Sequence, residues 1–311
     1  MKVSKLFGGL AVAAASLFLL SACGSSSSED TSVSDIKDKG TLVVALNPEF
    51  APFEFKTLVD GKDTIVGADV EIAKAIAEEL GVDVKFSSMS FNNVLASLQS
   101  GKADIAISGI SATEERKKAY DFSDPYYEAE NVVLIRKTDV DKYTDTDSLD
   151  GLSVGTQKGS IQETVASEQL AGAKVVSLTQ NSEMINELKN SQIEAVVLEK
   201  PIAEGYVANN SDLTIAGITL TSDDADAYAV ALPKGSTKLT KKVNKVIKEL
   251  KESGKINQFI QNAYELSVSD SSDPQTAVQN PQPPDVSQDA VPLPSSLPLQ
   301  LSFWPLPPLF S

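Results

Sequence analysis

Ser108-Gly109-Ile110-Ser111-Ala112-Thr113-Glu114-Glu115-Arg116 follows the alternating run Ala103-Asp104-Ile105-Ala106-Ile107. The alternation and the bounding glycines, Gly101 and Gly109, predict a buried strand over 103–107. Ser111 or Thr113 can N-cap a short helix, and Glu114, three residues after Ser111, fits a capping box. Strand, Gly/Ser turn and helix start then follow one another, and the free N–H groups of the helix start favour an anion. Arg116 falls in that first turn, the wrong end for a cation on dipole grounds. Its place makes sense if it shares the anion, gripping a carboxylate with its planar fork. A plain βα turn with a solvated Arg beside acidic neighbours fits these residues as well, so the rest of the chain has to decide.

The chain has 311 residues, enough for one large domain or two ordinary lobes, and 41% of them are apolar, which supports a real core. A net charge of −16 argues against a nucleic-acid-binding face. The absence of His removes Ser-His-Asp and Cys-His nucleophile systems and His-ligated metals. A single Cys removes intrachain disulfides and thiolate zinc clusters. No P-loop pattern is present, and no cofactor or metal site is expected.

Residues 1–22 read as a leader: Lys2 and Lys5 form a basic start, and Leu6–Leu20 is an apolar run short for a membrane span. Cys23 follows Leu20-Ser21-Ala22 and precedes a Ser-rich tract, 24–35, that reads as a flexible tether. Order is expected from Ile36, with a strand over Thr41–Leu46 and then the aromatic segment Phe50-Ala51-Pro52-Phe53-Glu54-Phe55. Gly67 to Gly81 is the clearest helix: Val70, Ala73, Ala77 and Leu80 share a face, Asp69 can cap it and Gly81 ends it. A strand (Val82–Phe86) and a helix (Phe91–Leu98) precede the opening stretch. The polar segment 137–150 reads as a crossing into a second unit with strands near 152–157, 174–178 and 195–198 and helices at 182–189 and up to about Val207. A strand at Ala227–Leu232 and a helical region Thr240–Tyr264, broken at Ser253-Gly254, complete the ordered part. Strands alternating with helices predict an α/β fold with mostly parallel sheets. Residues 267–311 are Pro-rich and without Lys or Arg, and are expected to be disordered.

Four blocks, taken together and in order, resemble one family, the extracellular solute-binding proteins of polar amino-acid ABC importers (solute-binding protein family 3). They are Ala51-Pro52-Phe53-Glu54-Phe55, Gly67-Ala68-Asp69-Val70-Glu71-Ile72, Ser108 to Arg116, and Asp121-Phe122-Ser123-Asp124-Pro125-Tyr126-Tyr127. Ala68 departs from the pattern, where a larger apolar residue is usual. Leu20 to Cys23 is similar to the lipobox of bacterial lipoproteins, in which Cys23 becomes the lipid-modified N-terminus.

The resemblance implies a type 2 periplasmic-binding-protein fold. It has two α/β lobes joined by two crossing strands, with lobe one near 36–133 and 231–266 and lobe two near 136–225. Arg116 would pair with the α-carboxylate of a free amino acid, aided by the N–H of Ser111. Gly109, beside Ser108, would offer its carbonyl to the α-ammonium, and Phe50 and Phe91 would flank the ligand side chain. Asn47 sits where relatives often carry an Asp that reads a polar or cationic side chain. From lobe two, Gln157, Gly159, Ser160 and Ile161 would close over the ligand, and Glu199 stands where an Asp binds the α-ammonium. The implied partners are a basic or neutral-polar L-amino acid, an ABC permease and the lipid bilayer reached through acylated Cys23, with the protein a monomer on the extracytoplasmic face. Glu49, Glu54 and Asp124 add negative charge that favours a basic or neutral-polar ligand over an acidic one. Two other functions fit the same fold: a non-transport sensor or surface lipoprotein, and a small lyase or dehydratase, the latter weakened by the missing His and acid–base pair.

Overall fold

Helix α1 (Ser32–Lys39) begins four residues ahead of the onset expected at Ile36. Asp30 is the reason: its carboxylate accepts the Ser32 N–H and hydroxyl at the helix start and, through its other oxygen, the Lys238 N–H. The computed structural model describes residues 30–221 and 227–269. The leader, Cys23, the tether up to Glu29 and the Pro-rich segment from 270 lie outside the described residues.

Two five-stranded sheets organise the chain. The first has β1 (Thr41–Leu46) between β5 (Asp83–Ser88) and β6 (Ile105–Ala106), all parallel. Antiparallel β13 (Ala231–Pro233) then pairs with both β6 and β7 (Tyr120–Phe122). The second has β9 (Ser153–Gln157) parallel to β10 (Lys174–Leu178) and β11 (Ala195–Glu199). There β8 (Asn131–Arg136) runs antiparallel to both β11 and β12 (Leu213–Ile215). Because β8, ahead of the polar segment 137–150, already lies in the second sheet, that segment is not the crossing expected of it, and the chain re-enters the first sheet at β13.

Helices cover the sheets at the boundaries that periodicity predicts, within a few residues. On α2 (Ala68–Leu80) the expected face is buried throughout, and Gly81, at φ 72°, closes the helix on the carbonyls of Ala77 and Glu78. Each fully buried Ile, Val or Leu here contributes roughly 1.5–3 kcal/mol over an exposed one. The departing residue, Ala68, is fully buried in that core. Around the sheets lie α3 (Phe91–Gln99), α4 (Glu114–Ala119), α5 (Ile161–Gln169), α6 (Asn181–Lys189) and α7 (Lys200–Asn209). The C-terminal region breaks at Ser253-Gly254 as expected, into α8 (Thr237–Glu252) and α9 (Lys255–Ser269). Helix α9 therefore extends past 267, where disorder was expected to begin.

Other expectations need correction. Asp69 does not cap α2. Gly67 occupies that position, and the first helical N–H groups, of Ala68 and Asp69, bond to the carbonyls of Pro52 and Phe53 instead. The strand expected over 103–107 shrinks to two residues, partly because the Asp104 carboxylate, rather than a backbone carbonyl, accepts the Val43 N–H. The strand expected at 227–232 is confined to 231–233, with Tyr228 held by isolated bridges to Ser111 and Tyr127. A small third sheet, β2 (Glu49–Phe50), β3 (Glu54–Val59) and β4 (Lys62–Val66), was not anticipated. Its turn residues Asp60 and Gly61, at φ 51° and 72°, form the Asp-Gly hairpin signal that could have revealed it.

Candidate functional site

The opening turn delivers Arg116 by a route different from the capping box. Thr113 caps α4, its hydroxyl accepting the Arg116 N–H at 3.2 Å, while Ser111 is buried and bridged to Tyr228. The Arg116 guanidinium then reaches in two directions. One nitrogen donates to the Ser111 carbonyl at 2.9 Å and another to the Gly159 carbonyl, on the second-sheet side, at 3.0 Å. Its carbon lies 5.9 Å from the centre of the Phe91 ring, a cation–π contact. A guanidinium carries five N–H donors, so donors remain for a carboxylate.

Gly109 is required in the turn. It sits at φ 53°, and a Cβ there would lie 2.4 Å from the Phe50 ring. Phe50 is thereby pressed against the turn, with Phe53 and Tyr228 at 6.0 and 6.1 Å on its other sides. It is both a core aromatic and a wall of the turn.

The two sheets meet at a second point, where Gln157 Nε2 donates to Asn47 Oδ1 at 3.1 Å. Asn47 is fixed by its own side-chain bond to the Met89 carbonyl. Gly159, at φ 81°, comes close enough to Asn92 that a Cβ would stand 3.1 Å from that Cα. Ser160 turns inward, its N–H and hydroxyl both donating to the Gln157 carbonyl, so it shapes the turn ahead of α5. A groove of about 1080 Å³ runs past Arg116, Gly159, Ser160 and Ile161. The other candidate residues lie outside its lining. Glu199 ends β11 opposite Asn131 and is buried. Burial lowers the Arg116 pKa, and the charge of Glu199 is the largest influence opposing that fall. Ser108 is brought to the turn with its hydroxyl facing away from the cleft, accepting the Asn47 N–H at 3.0 Å and donating to Glu54 at 2.5 Å.

Two of the acids expected to make the surroundings negative, Glu49 and Glu54, are tied into the fold. Glu49 holds the start of α6: its carboxylate accepts the Asn181 N–H and its carbonyl accepts from the Asn181 side chain. Glu54 is completely buried, and burial with the neighbouring Asp69 charge drives its pKa well above the usual range. Asp69, equally buried, is raised by desolvation to about 6, although the Gly109 N–H and the Tyr126 hydroxyl both donate to it. This Glu54–Asp69 floor escaped the sequence reading, although Glu54 and Asp69 each stand in a motif block. The signal was there: an acid at the second position of an apolar helix face is costly unless it has partners. Among the described residues no cluster of three or more His, Cys, Asp or Glu could hold a metal, and no helix is long and apolar enough to cross a membrane.

Comparison with known proteins places this geometry. The arginine-binding extracellular protein ArtP of Bacillus subtilis (strain 168) is 36% identical over 253 residues, covering 80% of this chain and 94% of that protein. A probable histidine-binding protein of Campylobacter jejuni is 31% identical over 265 residues, covering 85% of this chain and all of that one. Among solved structures, the amino acid ABC transporter substrate-binding protein AbpA of Streptococcus pneumoniae, bound to L-arginine, aligns with a TM-score of 0.73 at 52% identity. That alignment covers 76% of this chain and 99% of AbpA. With two α/β sheets meeting at Arg116–Gly159 and Asn47–Gln157, and with residues 42–265 matching the family profile, the chain belongs to the bacterial extracellular solute-binding proteins, family 3.

Proposed function

We propose that this protein binds one free basic amino acid, arginine foremost, between its two lobes and delivers it to an ABC permease. The carrying observation is the position of Arg116, a half-buried guanidinium that bridges the Ser111 and Gly159 carbonyls where the lobes meet and has donors to spare. In this reading the α-carboxylate pairs with Arg116, helped by the Ser111 N–H. The Gly109 carbonyl and Glu199 take the α-ammonium. Phe50 and Phe91 flank the side chain, whose planar cation suits an aromatic face. Asn47 and Gln157 read its end, and Gly159, Ser160 and Ile161 close the second side. Relatives that bind arginine or are bound to it support arginine over the neutral-polar choices.

Capture on the first lobe followed by rotation of the second gives a closed state stabilised by contacts from both. Lobe one then comprises residues from 36 to about 130 together with 231–266. Lobe two runs from β8 to about 225, the crossing placed before Asn131 because β8 pairs wholly in the second sheet. The chain's family is one of solute-binding proteins.

A melting screen with the twenty amino acids tests the ligand. At a concentration about a thousandfold above a micromolar Kd, binding stabilises by about 4 kcal/mol, which for a chain of this size raises the melting temperature by roughly 10 °C. A shift with a neutral amino acid and none with arginine, lysine or histidine would overturn the basic assignment.

The protein in this reading is a monomeric lipoprotein, anchored through acylated Cys23 on the extracytoplasmic face once residues 1–22 are removed, with the Ser-rich tract as spacer. Cys23→Ala is expected to move the protein from the membrane fraction to the medium. Retention of the variant in the membrane fraction would contradict the anchor.

A further inference from the structure

We propose that Glu54 and Asp69 share a single proton and that the pair so formed positions, through Ser108 and Gly109, the first-lobe atoms that meet the ligand. The hydrogen bonds around the pair leave room for little else. Asp69 Oδ2 accepts the Gly109 N–H at 3.0 Å and the Tyr126 hydroxyl at 2.9 Å. Glu54 Oε1 accepts the Ser108 hydroxyl at 2.5 Å, and the Ser108 oxygen accepts the Asn47 N–H. Two oxygens remain, Glu54 Oε2 and Asp69 Oδ1, both fully buried and without a donor. Each carboxyl group acts on the other's pKa, so the two stand side by side, and two ionised carboxylates there would have no hydrogen to share. One proton on Glu54 Oε2, donated to Asp69 Oδ1, satisfies both orphans and leaves one negative charge in place of two.

Two other groups facing the pair act in opposite directions: the Glu199 charge raises the Glu54 pKa, whereas the Tyr126 hydroxyl, donating to Asp69, lowers that of Asp69. Tyr126 and Tyr228 also lie within electrostatic reach of both acids. The pair thus belongs to a chain of hydrogen bonds running from Asn47 through Ser108, Glu54 and Asp69 to Gly109. Asn47 and Gly109, at its ends, are candidate ligand contacts, so the positioning claim rests on the amino-acid-binding reading. The proton itself does not.

Variants of the full-length protein separate the two. Glu54→Gln keeps a donor where the proton sits and an acceptor for Ser108, whereas Glu54→Leu keeps neither and leaves two buried polar atoms unpaired. With all variants folded at the assay temperature, Glu54→Leu is expected to bind L-arginine at least about tenfold more weakly than Glu54→Gln. Equal losses in the two variants would overturn the positioning role.

The proton has two readouts that need no ligand. Ligand-free wild type at pH 8 should show the infrared band of a buried protonated carboxyl group, and Glu54→Gln should lack it. Absence of the band in wild type would overturn the shared proton. The pH profile provides the second. Because burial raises both pKa values, the folded chain holds these protons more tightly than the unfolded one. The resulting stability is complete below the ordinary carboxylate range and is lost as pH rises, for Asp69 by about pH 6 and for Glu54 beyond it. Denaturation midpoints from pH 6 to 8.5 should therefore fall more steeply for wild type than for Glu54→Gln, and identical slopes would contradict the assignment. If wild type binds no amino acid, the ligand reading fails and the positioning claim fails with it, while the infrared band still decides the proton.

Discussion

Arg116→Ala is expected to remove amino-acid binding almost completely while leaving the fold intact. Truncating one partner of a desolvated, hydrogen-bonded charge pair costs about 2–5 kcal/mol, so affinity should fall by roughly thirtyfold to a few thousandfold. The fold should survive because α4 buries none of its residues, and the carbonyl released at Gly159 lies in the lining of a groove that admits water. Arg116→Lys separates charge from shape. An ammonium keeps the charge but loses the fork that can bond the Ser111 carbonyl, the Gly159 carbonyl and a carboxylate together. Calorimetric titration should rank the three proteins arginine, lysine, alanine in order of falling affinity. Wild-type affinity in Arg116→Ala would remove the guanidinium from the site.

Gly67→Ala is expected to give the largest loss of stability. Gly67 stands at φ 131°, a conformation closed to L side chains, and an added Cβ would lie 2.1 Å from the Phe53 carbonyl oxygen. All three nearest atoms are backbone, of Phe53 and Glu54, so no side chain can swing aside. That backbone also accepts the Asp69 N–H at the start of α2 and places Glu54 beside Asp69, so any relief moves the floor of the site. A cost of about 4 kcal/mol or more is in range for such an overlap, lowering the melting temperature by roughly 10 °C. A melting temperature within two or three degrees of wild type would mean that the turn relaxes without strain. Gly109→Ala differs in kind, since the three atoms nearest its Cβ all belong to the Phe50 ring, a side chain rather than backbone.

How much of this was legible in the sequence depended on whether the deciding interaction was local. Helix α2 and strands β1 and β10 fall where periodicity and Gly81 place them, because side-chain spacing and cap chemistry act over a few residues. Arg116 was found through a local conflict, a cation at the wrong end of a helix. The N-cap was not resolved, since Ser111 and Thr113 suit the position equally by type. What removes Ser111 is its bridge to Tyr228, more than a hundred residues away in sequence. Strands 103–107 and 227–232 were overextended for a similar reason, since an alternating pattern says nothing about where pairing partners stop. From the sequence, Glu54 reads as negative charge near the ligand and Asp69 as a cap. Only folding brings them together with Gly109, Ser108 and Tyr126, and it turns a supposed source of negative potential into a partly neutral floor. Glu49 likewise finds a partner that only folding supplies, the Asn181 N–H at the start of α6.

The central claim is that a free amino acid is held between the two lobes with its carboxylate on Arg116. Isothermal titration of protein refolded from denaturant, with L-arginine and with its decarboxylated amine in parallel, tests this most directly. One equivalent of arginine bound at micromolar Kd or tighter, with the amine failing to bind, is the predicted result. Equal affinity for the two compounds, or no heat with arginine or any other amino acid, would contradict it.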